Sequence, residues 1–262
     1  MTDEVLLEFR GPVAVITNNR PDKHNAFTDA MDLRLFEILS ELRQHPEVRA
    51  IVWRAEGKSW SSGRDVGAIG VAGGSEVELT HHELMRRGHR GIQQVFDLDA
   101  PIIVAIQGWA IGGSFQRALL CDMRIAAEGA RFMLPEVTHG VIPDTGGVSR
   151  LFQICGHGVT TDMVLTGRPM DADEALHHGI VSRIVPPDEL DATAFEMAEK
   201  IAAAPAVTVK MARRVIGHLS QPEVMTSMAE ELIAQTFINK SEDFAEFRAA
   251  RAEGRDPEYR GS

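Results

Sequence analysis

The chain has 262 residues, 44% of them apolar, and a formal net charge of −11, which suits one large domain with a well-buried core. The acidic balance weighs against a nucleic-acid partner or an anionic membrane surface, because both require a basic footprint. Two cysteines without paired spacing, an acidic N-terminus and the lack of an apolar run of roughly 18 residues predict a cytoplasmic protein without disulfides or a membrane partner.

The N-terminal half alternates predicted strands and helices. VLLEF and VAVITNN flank RGP and predict a hairpin that turns at Gly11 and Pro12. Thr28 precedes apolar residues at helical spacing, so it is the predicted N-cap of an amphipathic helix. RAIVWRA is a predicted strand. A glycine-bearing loop through Gly74, a helix to about Asp97 and the buried strand PIIVAIQG follow.

The C-terminal half begins with the same alternation. A helix is predicted from about Gly113, and DMRIAA and ARFMLPEV predict two further short strands. DTGGVSRLFQICG predicts a helix with Gly156 near its end, and GIVSRIVP is the last strand pattern. Beyond it, the chain predicts helices separated at Pro205 and Pro222. Recurring strand, strand and helix units with apolar strands indicate an α/β fold with a helix-covered sheet.

Two glycine-centred turns follow predicted strands: GWAIGGSFQRA follows PIIVAIQ, and SWSSGRDVGAIG follows RAIVWRA. Glycines at the entry of a helix let the backbone approach a ligand closely, and the helix N-terminus supplies unpaired N–H groups. The first turn lacks the Gly-Lys-Ser/Thr ending of a P-loop. Its glycines could also serve only tight helix–strand packing. If the two turns lie side by side, one N–H from each can point at a single oxygen, as in an oxyanion hole.

Five segments in a fixed order carry a family resemblance across essentially the whole chain. They are NRPDKHNAF, SWSSGRDV, PIIVAIQGWAIGGSFQRALLCDMRIAAEGARFMLPEVTHGVIPDTGG, LTGRPMDADEALHHGIVSRIVP and FAEFRAAR. In that order they resemble the enoyl-CoA hydratase/isomerase (crotonase) superfamily. The resemblance implies a crotonase-like spiral of ββα units over residues 1–195 and a helical oligomerisation region over residues 196–262. It also implies an acyl-coenzyme A thioester as substrate, with no separate cofactor. No metal site is expected, because the adjacent pairs His81/His82 and His177/His178 cannot both face one ion from a regular helix.

The same resemblance assigns candidate site residues. The oxyanion donors would be the backbone N–H groups of Arg64 and Gly113, and the Arg64 guanidinium could meet a phosphate of coenzyme A. Contacts to coenzyme A, mainly through the backbone, are implied for His24, Asn25, Ala26, Ser62, Asp65 and Val66. A homotrimer or a dimer of trimers is implied, with an interface at Met225, Met228, Leu232, Phe237, Phe244 and Phe247. Periodicity alone indicates only that these helices bury a face.

The family's hydratases resemble one another in using two glutamates, and this chain has only one of the two. The second is present as Glu136 in MLPEV, whereas the first position is Gln116. A glutamine can orient a water molecule or a carbonyl but cannot exchange a proton at neutral pH. The usual two-carboxylate addition of water is therefore not expected in its ordinary form.

Asp144, in GVIPDTGG, is the second candidate carboxylate. It precedes a predicted helix and could be an N-terminal cap. Alternatively, Glu136 and Asp144 flank the acyl chain and share proton shuttling, with separated pKa values. His139 lies between them and could tune either carboxylate or serve only the loop.

These residues favour double-bond isomerisation of an enoyl-CoA, with Glu136 as principal base and Asp144 assisting, because one carboxylate can move a proton between two carbons. Hydration, with Gln116 holding the water, is the first alternative. Nucleophilic attack by Asp144, as in a dehalogenase, requires an aryl substrate, and only Trp109 and Phe115 offer an aromatic cradle. A non-catalytic protein that binds acyl-CoA or RNA is the alternative from another class.

Overall fold

The computed structural model describes residues 3–65 and 81–261. Its strands are β1 (Val5–Arg10), β2 (Val13–Asn18), β3 (Ala50–Ala55), β4 (Ile102–Ile106), β5 (Trp109–Ile111), β6 (Met123–Ala127), β7 (Arg131–Met133), β8 (Met170–Asp171) and β9 (Ile184–Val185). Its α-helices are α1 (Asp29–Leu42), α2 (His81–Asp97), α3 (Gly112–Leu120), α4 (Gly147–Thr166), α5 (Ala172–His177), α6 (Leu190–Ala202), α7 (Ala206–His218), α8 (Gln221–Ile238) and α9 (Glu242–Glu253). Within the described ranges, no helix combines the length and apolar character needed to cross a membrane.

The larger sheet has the strand order β1-β2-β3-β4-β6-β9. Strands β1 and β2 form the predicted antiparallel hairpin, and each later neighbour pairs in parallel. Alternate residues of β2, β3 and β4 pack on opposite faces, one against α1 and α2 and the other against α6. A parallel sheet covered on both faces explains why these strands are continuous apolar runs.

A smaller sheet has the order β5-β7-β8. Along the chain, its strands β5 and β7 directly follow β4 and β6 of the larger sheet. Strand β4 joins the larger sheet and β5 the smaller, before α3; β6 and β7 divide in the same way before α4. The predicted short strands DMRIAA and ARFMLPEV therefore both form, one in each sheet. This repetition of two strands and a helix is the crotonase-type ββα architecture predicted from the resemblance.

Helix boundaries agree with the sequence at Thr28 and at Gly156, although the chain becomes helical again after Gly156. The Thr28 side chain caps α1 by accepting from Met31 N at 3.2 Å. The first helical segment of α4 ends at Gly156, as predicted, where φ is +73° and ψ is 179°, and a second helical segment continues to Thr166. The second half of α4 buries Met163, and this packing favours a resumed helix over the loop that glycine alone indicates.

The C-terminal helices begin where proline predicts. Pro205 is the N-cap of α7, and Pro222 lies in the first turn of α8, where its missing N–H removes no helical hydrogen bond. The division into residues 1–195 and 196–262 stays a prediction, and in the structure residue 195 lies within α6. Two residues predicted at a trimer interface, Met228 and Phe244, are instead buried within the protomer, whereas Phe237 is 78% exposed.

Candidate active site

The two glycine-centred turns lie side by side. Ser61 N donates to Trp109 O at 2.9 Å and Ile111 N donates to Ser61 O at 3.1 Å. The Ser61 and Ser114 hydroxyls share a buried hydrogen bond of 2.7 Å. Gly63 has φ +91°, and a Cβ there would lie 2.8 Å from Ile111 O. Only glycine permits this close approach, so the sequence of the turn follows from the packing.

The predicted oxyanion donors are both on these turns. Gly113 is the second residue of α3, so its N–H belongs to the first turn, which has no intrahelical acceptor. Around Arg64, Phe27 N donates to Gly63 O and Asp65 N donates to Phe27 O. Because successive N–H groups of an extended segment alternate in direction, Arg64 N–H points away from Phe27. The two N–H groups thus lie on adjacent turns, and their role as oxyanion donors stays a prediction.

Glu136 lies against the start of α3. Gly112 has φ +57°, and a Cβ there would lie 3.2 Å from Glu136 Oε1. The first glycine of the pair therefore lets this carboxylate approach the turn. Burial raises the pKa of Glu136 to about 7, while a hydrogen bond from Gln116 opposes the increase. Oε2 of Glu136 is buried and has no hydrogen-bond partner among the described residues, so it is available to exchange a proton with a ligand.

Gln116 connects Glu136 to the N-terminus of α4. Its Nε2 donates to Glu136 Oε1 at 2.8 Å, and its Oε1 accepts from Thr145 N at 2.8 Å and Gly147 N at 3.3 Å. The side chain is 1% exposed. Both lone pairs of the amide oxygen are in use, so only the second N–H of Nε2 remains to bind a water molecule.

Asp144 lies in the loop before α4, but it is not the N-cap. The N-cap is Gly146, whose N donates to Glu231 Oε2 at 2.8 Å. The Asp144 carbonyl accepts from His89 Nε2. Its carboxylate lies near enough to raise the pKa of Glu136 and of Glu231. Helices α2 and α8 therefore position the Asp144 loop, and the cap predicted as one role of Asp144 is supplied by other residues.

Glu231 and His89 were missed by the sequence reasoning. The buried residues of α8 are Val224, Met228, Glu231 and Gln235, at the spacing of a helix stripe that faces a core. Two of the four are polar, and both bind the loop, since Gln235 Oε1 accepts from Ile142 N at 2.9 Å. Polar residues inside a buried helix stripe are the sequence signal that would have identified Glu231 and Gln235.

Replacing Glu231 with Gln tests the charge of this buried carboxyl. Burial raises its pKa to about 7, so the folded state binds the proton more tightly than the unfolded state. The associated stability is present below about pH 4.5 and is lost as pH rises through about 7. Glu231→Gln keeps an acceptor for Gly146 N without the charge. We expect equal stability near pH 5 and a gain of about 1–3 kcal/mol at pH 8.

Denaturant unfolding of both proteins at the two pH values measures this difference. The control is Glu230→Gln, which removes an exposed carboxylate from the adjacent position and should show no pH-dependent gain. A Glu231→Gln protein that is less stable than wild type at pH 8 contradicts the prediction.

The predicted coenzyme A segments are adjacent in the structure. Ser62 N donates to His24 O at 2.9 Å, which joins residues 24–26 to residues 61–65. His24 is exposed and Ala26 is half-buried, whereas the buried Asn25 side chain binds backbone atoms of the protein. Asp65 pairs with Arg20 at 2.7 Å. Val66 lies outside the described residues, and contact of these residues with coenzyme A stays a prediction.

The hypothesis that the Arg64 guanidinium meets a phosphate is not supported. Its Nη1 donates to Asp32 Oδ2 at 2.8 Å and its Nη2 to Asp29 Oδ1. A guanidinium held by two carboxylates of α1 is neutralised within the protein. The side chain thus anchors its turn to α1.

His139 lies against α9. Its ring centroid lies 6.0 Å from that of Phe247. Burial lowers its pKa, with a smaller contribution in the same direction from Arg251. In residues 3–65 and 81–261, no group of three or more His, Cys, Asp or Glu side chains is arranged to hold a metal ion.

Comparison with known proteins shows extensive similarity. Residues 8–262 match the family described as enoyl-CoA hydratase/isomerase. The chain is 36% identical to a carnitinyl-CoA dehydratase of Salmonella arizonae, with 100% of both sequences covered. The crystal structure of a carnitinyl-CoA hydratase from Mycobacterium avium matches this chain with a TM-score of 0.84 and 34% sequence identity, and 100% of both chains is covered. An enoyl-CoA hydratase/isomerase structure from Pseudoalteromonas atlantica T6c has a TM-score of 0.88 at 28% identity, over 98% of this chain and 100% of that one.

Proposed function

Because the chain belongs to the enoyl-CoA hydratase/isomerase family of acyl-CoA-processing enzymes, we propose that it reversibly eliminates water from a 3-hydroxyacyl-CoA to give a 2-enoyl-CoA. The observation that carries the proposal is the buried Glu136 Oε2, which has no hydrogen-bond partner in the described part of the protein. A carboxylate with a pKa of about 7 is suited to both accepting and returning a proton at neutral pH.

In the proposed reaction, Glu136 removes the proton from the α-carbon of the thioester. Negative charge develops on the thioester oxygen, where the N–H groups of Arg64 and Gly113 stabilise it. The enolate then re-forms its carbonyl, the α,β double bond forms and the bond from the β-carbon to the hydroxyl breaks. Glu136 returns its proton to the departing hydroxide, which leaves as water. One carboxylate thus serves as base and then as acid.

Gln116 supports this use of a single carboxylate. Its hydrogen bond to Glu136 Oε1 fixes one oxygen of the carboxylate and leaves Oε2 to the substrate. The remaining N–H of its Nε2 can donate to the hydroxyl or to water. The names of similar proteins, carnitinyl-CoA dehydratase and carnitinyl-CoA hydratase, favour addition or elimination of water over the isomerisation favoured by the sequence.

Isomerisation of an enoyl-CoA is the second candidate. Asp144 lies near enough to Glu136 to raise its pKa, and Gln116 supplies no second proton-exchanging group. A proton removed from one carbon by Glu136 and delivered to another by Glu136 or Asp144 would move the double bond without water.

A product assay in D₂O distinguishes these reactions. The purified protein is incubated separately with 3-hydroxyacyl-CoA, 2-enoyl-CoA, 3-enoyl-CoA and carnitinyl-CoA, and products are identified by mass spectrometry. We expect interconversion of 3-hydroxyacyl-CoA and 2-enoyl-CoA, with deuterium retained at the α-carbon of the hydrated product. Interconversion of the two enoyl-CoA isomers without hydroxyacyl-CoA would support the second candidate. Binding of all four without turnover would identify a non-catalytic acyl-CoA-binding protein.

The proposed oligomer is a homotrimer or a dimer of trimers. Its support is the set of exposed apolar side chains on α7, on α8 and at the C-cap of α7, which are 63% to 80% accessible at Val207, Val215, Leu219, Ile233 and Phe237. Apolar area of this kind on a protein surface favours association with another protein surface.

A further inference from the structure

Asp32, in the first turns of α1, lies between two guanidinium groups. Its Oδ2 accepts from Arg64 Nη1 at 2.8 Å, and its Oδ1 lies 2.8 Å from Arg117 Nη2. The Asp32 side chain is 10% exposed and that of Arg117 is 11% exposed. The contact with Arg117 is an ion pair without hydrogen-bond geometry, since Oδ1 has no hydrogen-bond donor among the described residues. Charge therefore holds Asp32 and Arg117 together.

The two arginines belong to the two segments that carry the predicted oxyanion donors. Arg64 carries one of the predicted donors on its own backbone. Arg117 lies on α3 four residues after Gly113, the other predicted donor, and residues at that spacing share a helix face. The Asp32 carboxylate is thus a bridge between the two segments whose N–H groups must converge on one oxygen.

Arg117 depends on this bridge more than Arg64 does. Arg64 has a second carboxylate partner in Asp29. The Arg117 guanidinium carbon lies 4.6 Å above the centre of the Phe27 ring, and its Nε and Nη1 are buried without hydrogen-bond partners in the described part of the chain. Without the Asp32 charge, the guanidinium groups of Arg64 and Arg117 would face each other in a partly desolvated environment. Their repulsion would separate the two turns.

We propose that Asp32 is a positioning residue of the oxyanion hole, which sets the separation between the N–H groups of Arg64 and Gly113 through its ion pairs with Arg64 and Arg117. The inference rests on the proposed function, because it assumes that these N–H groups bind the thioester oxygen. A small displacement of such a donor is sufficient to weaken transition-state stabilisation.

Asp32→Asn tests the bridge by removing its charge while keeping its shape. We expect kcat for water elimination to fall about 10- to 100-fold, with KM changed less than about threefold, since a misplaced donor acts mainly on the transition state. The matched control is Asp29→Asn, which removes the other carboxylate on Arg64 but does not touch Arg117. Its kcat should stay within about threefold of wild type.

A spectroscopic measurement separates positioning from general loss of structure. A saturated acyl-CoA with a ¹³C-labelled carbonyl is bound to each protein, and its carbonyl stretching frequency is measured by isotope-edited infrared spectroscopy. We expect the wild-type site to lower this frequency from its value in water. In Asp32→Asn the frequency should return toward the free value, whereas in Asp29→Asn it should stay lowered. Unchanged frequency and kcat in folded Asp32→Asn would overturn the inference.

A second variant covers the case in which Asp32→Asn does not fold, and the wild-type result separates this inference from the proposed function. If Asp32→Asn does not fold, Arg117→Met removes the bridge from its other end, keeps an apolar contact with Phe27 and should shift the frequency in the same direction. An Arg117→Met protein with wild-type kcat and frequency would also overturn the inference. A wild-type protein that lowers the carbonyl frequency but turns over no substrate contradicts the proposed function alone, and the frequencies of the variants still test Asp32.

Discussion

Replacing Glu136 with Gln is expected to lower kcat for water elimination by about 10³-fold or more, because the proposed base and acid is lost. The substitution should leave the fold in place. The side-chain oxygen of a glutamine at position 136 can still accept from Gln116 Nε2, which is 2.8 Å from Glu136 Oε1 in the structure. Steady-state rates with 3-hydroxyacyl-CoA and with 2-enoyl-CoA measure the loss in each direction.

The pH profile of kcat/KM for the wild-type enzyme should have a limb set by the ionisation of Glu136. Burial raises its pKa to about 7, and elimination requires the ionised form of the free enzyme. The kcat/KM for elimination is therefore expected to rise as pH increases through about 7 and then to level off. A profile that is flat from pH 5.5 to 8.5 would show that another group is the base.

The stability of Glu136→Gln provides an internal control. In the wild type the raised pKa means that the stability associated with protonation is lost as pH rises from about 4.5 through about 7. The neutral variant avoids this loss, so at pH 8 it should be at least as stable as wild type. An inactive variant that is also at least as stable has lost chemistry rather than structure. A folded variant that retains a tenth or more of kcat contradicts the assignment of Glu136.

Local signals in the sequence were sufficient to predict most of the strands and helices, whereas their arrangement was implied by the family resemblance. The hairpin at Gly11 and Pro12 and the Thr28 cap depend on neighbours within a few residues, as do the glycine turns. The end of a helical segment at Gly156 was predicted, because the preference of glycine is local. The resumption of the helix after Gly156 was not predicted, because the burial of Met163 depends on the rest of the fold.

The site was only partly predictable because its contacts join distant positions. Glu136 and Gln116 were identified through the family resemblance. That the Gln116 amide would bind both Glu136 and the α4 N-terminus follows from packing that no spacing rule describes. Asp32 and Glu231 act on residues far along the chain. Of these, only Glu231 left a sequence signal, as a charged residue within an apolar helix stripe.

Replacing Gln116 with Leu is expected to have the largest effect on stability. The amide oxygen accepts from Thr145 N and Gly147 N, and Nε2 donates to Glu136. Leucine would leave all three groups unpaired, two of them backbone N–H groups at the start of α4. At about 1–3 kcal/mol for each of the three buried unpaired groups, we expect a loss of about 3–9 kcal/mol in the free energy of unfolding. Denaturant titration followed by circular dichroism measures it.

Gln116→Glu is the matched comparison, because it keeps the acceptor for both N–H groups and changes only the contact with Glu136. Two carboxyl groups about 3 Å apart cannot both ionise readily, so the pair should hold a shared proton with a raised pKa. Stability gained from that proton is lost as pH rises from the unfolded-state pKa through the raised value. We therefore expect near-wild-type stability at pH 6 and a deficit at pH 9. Equal stability of Gln116→Leu and wild type would mean that these hydrogen bonds do not hold the α4 N-terminus against Glu136.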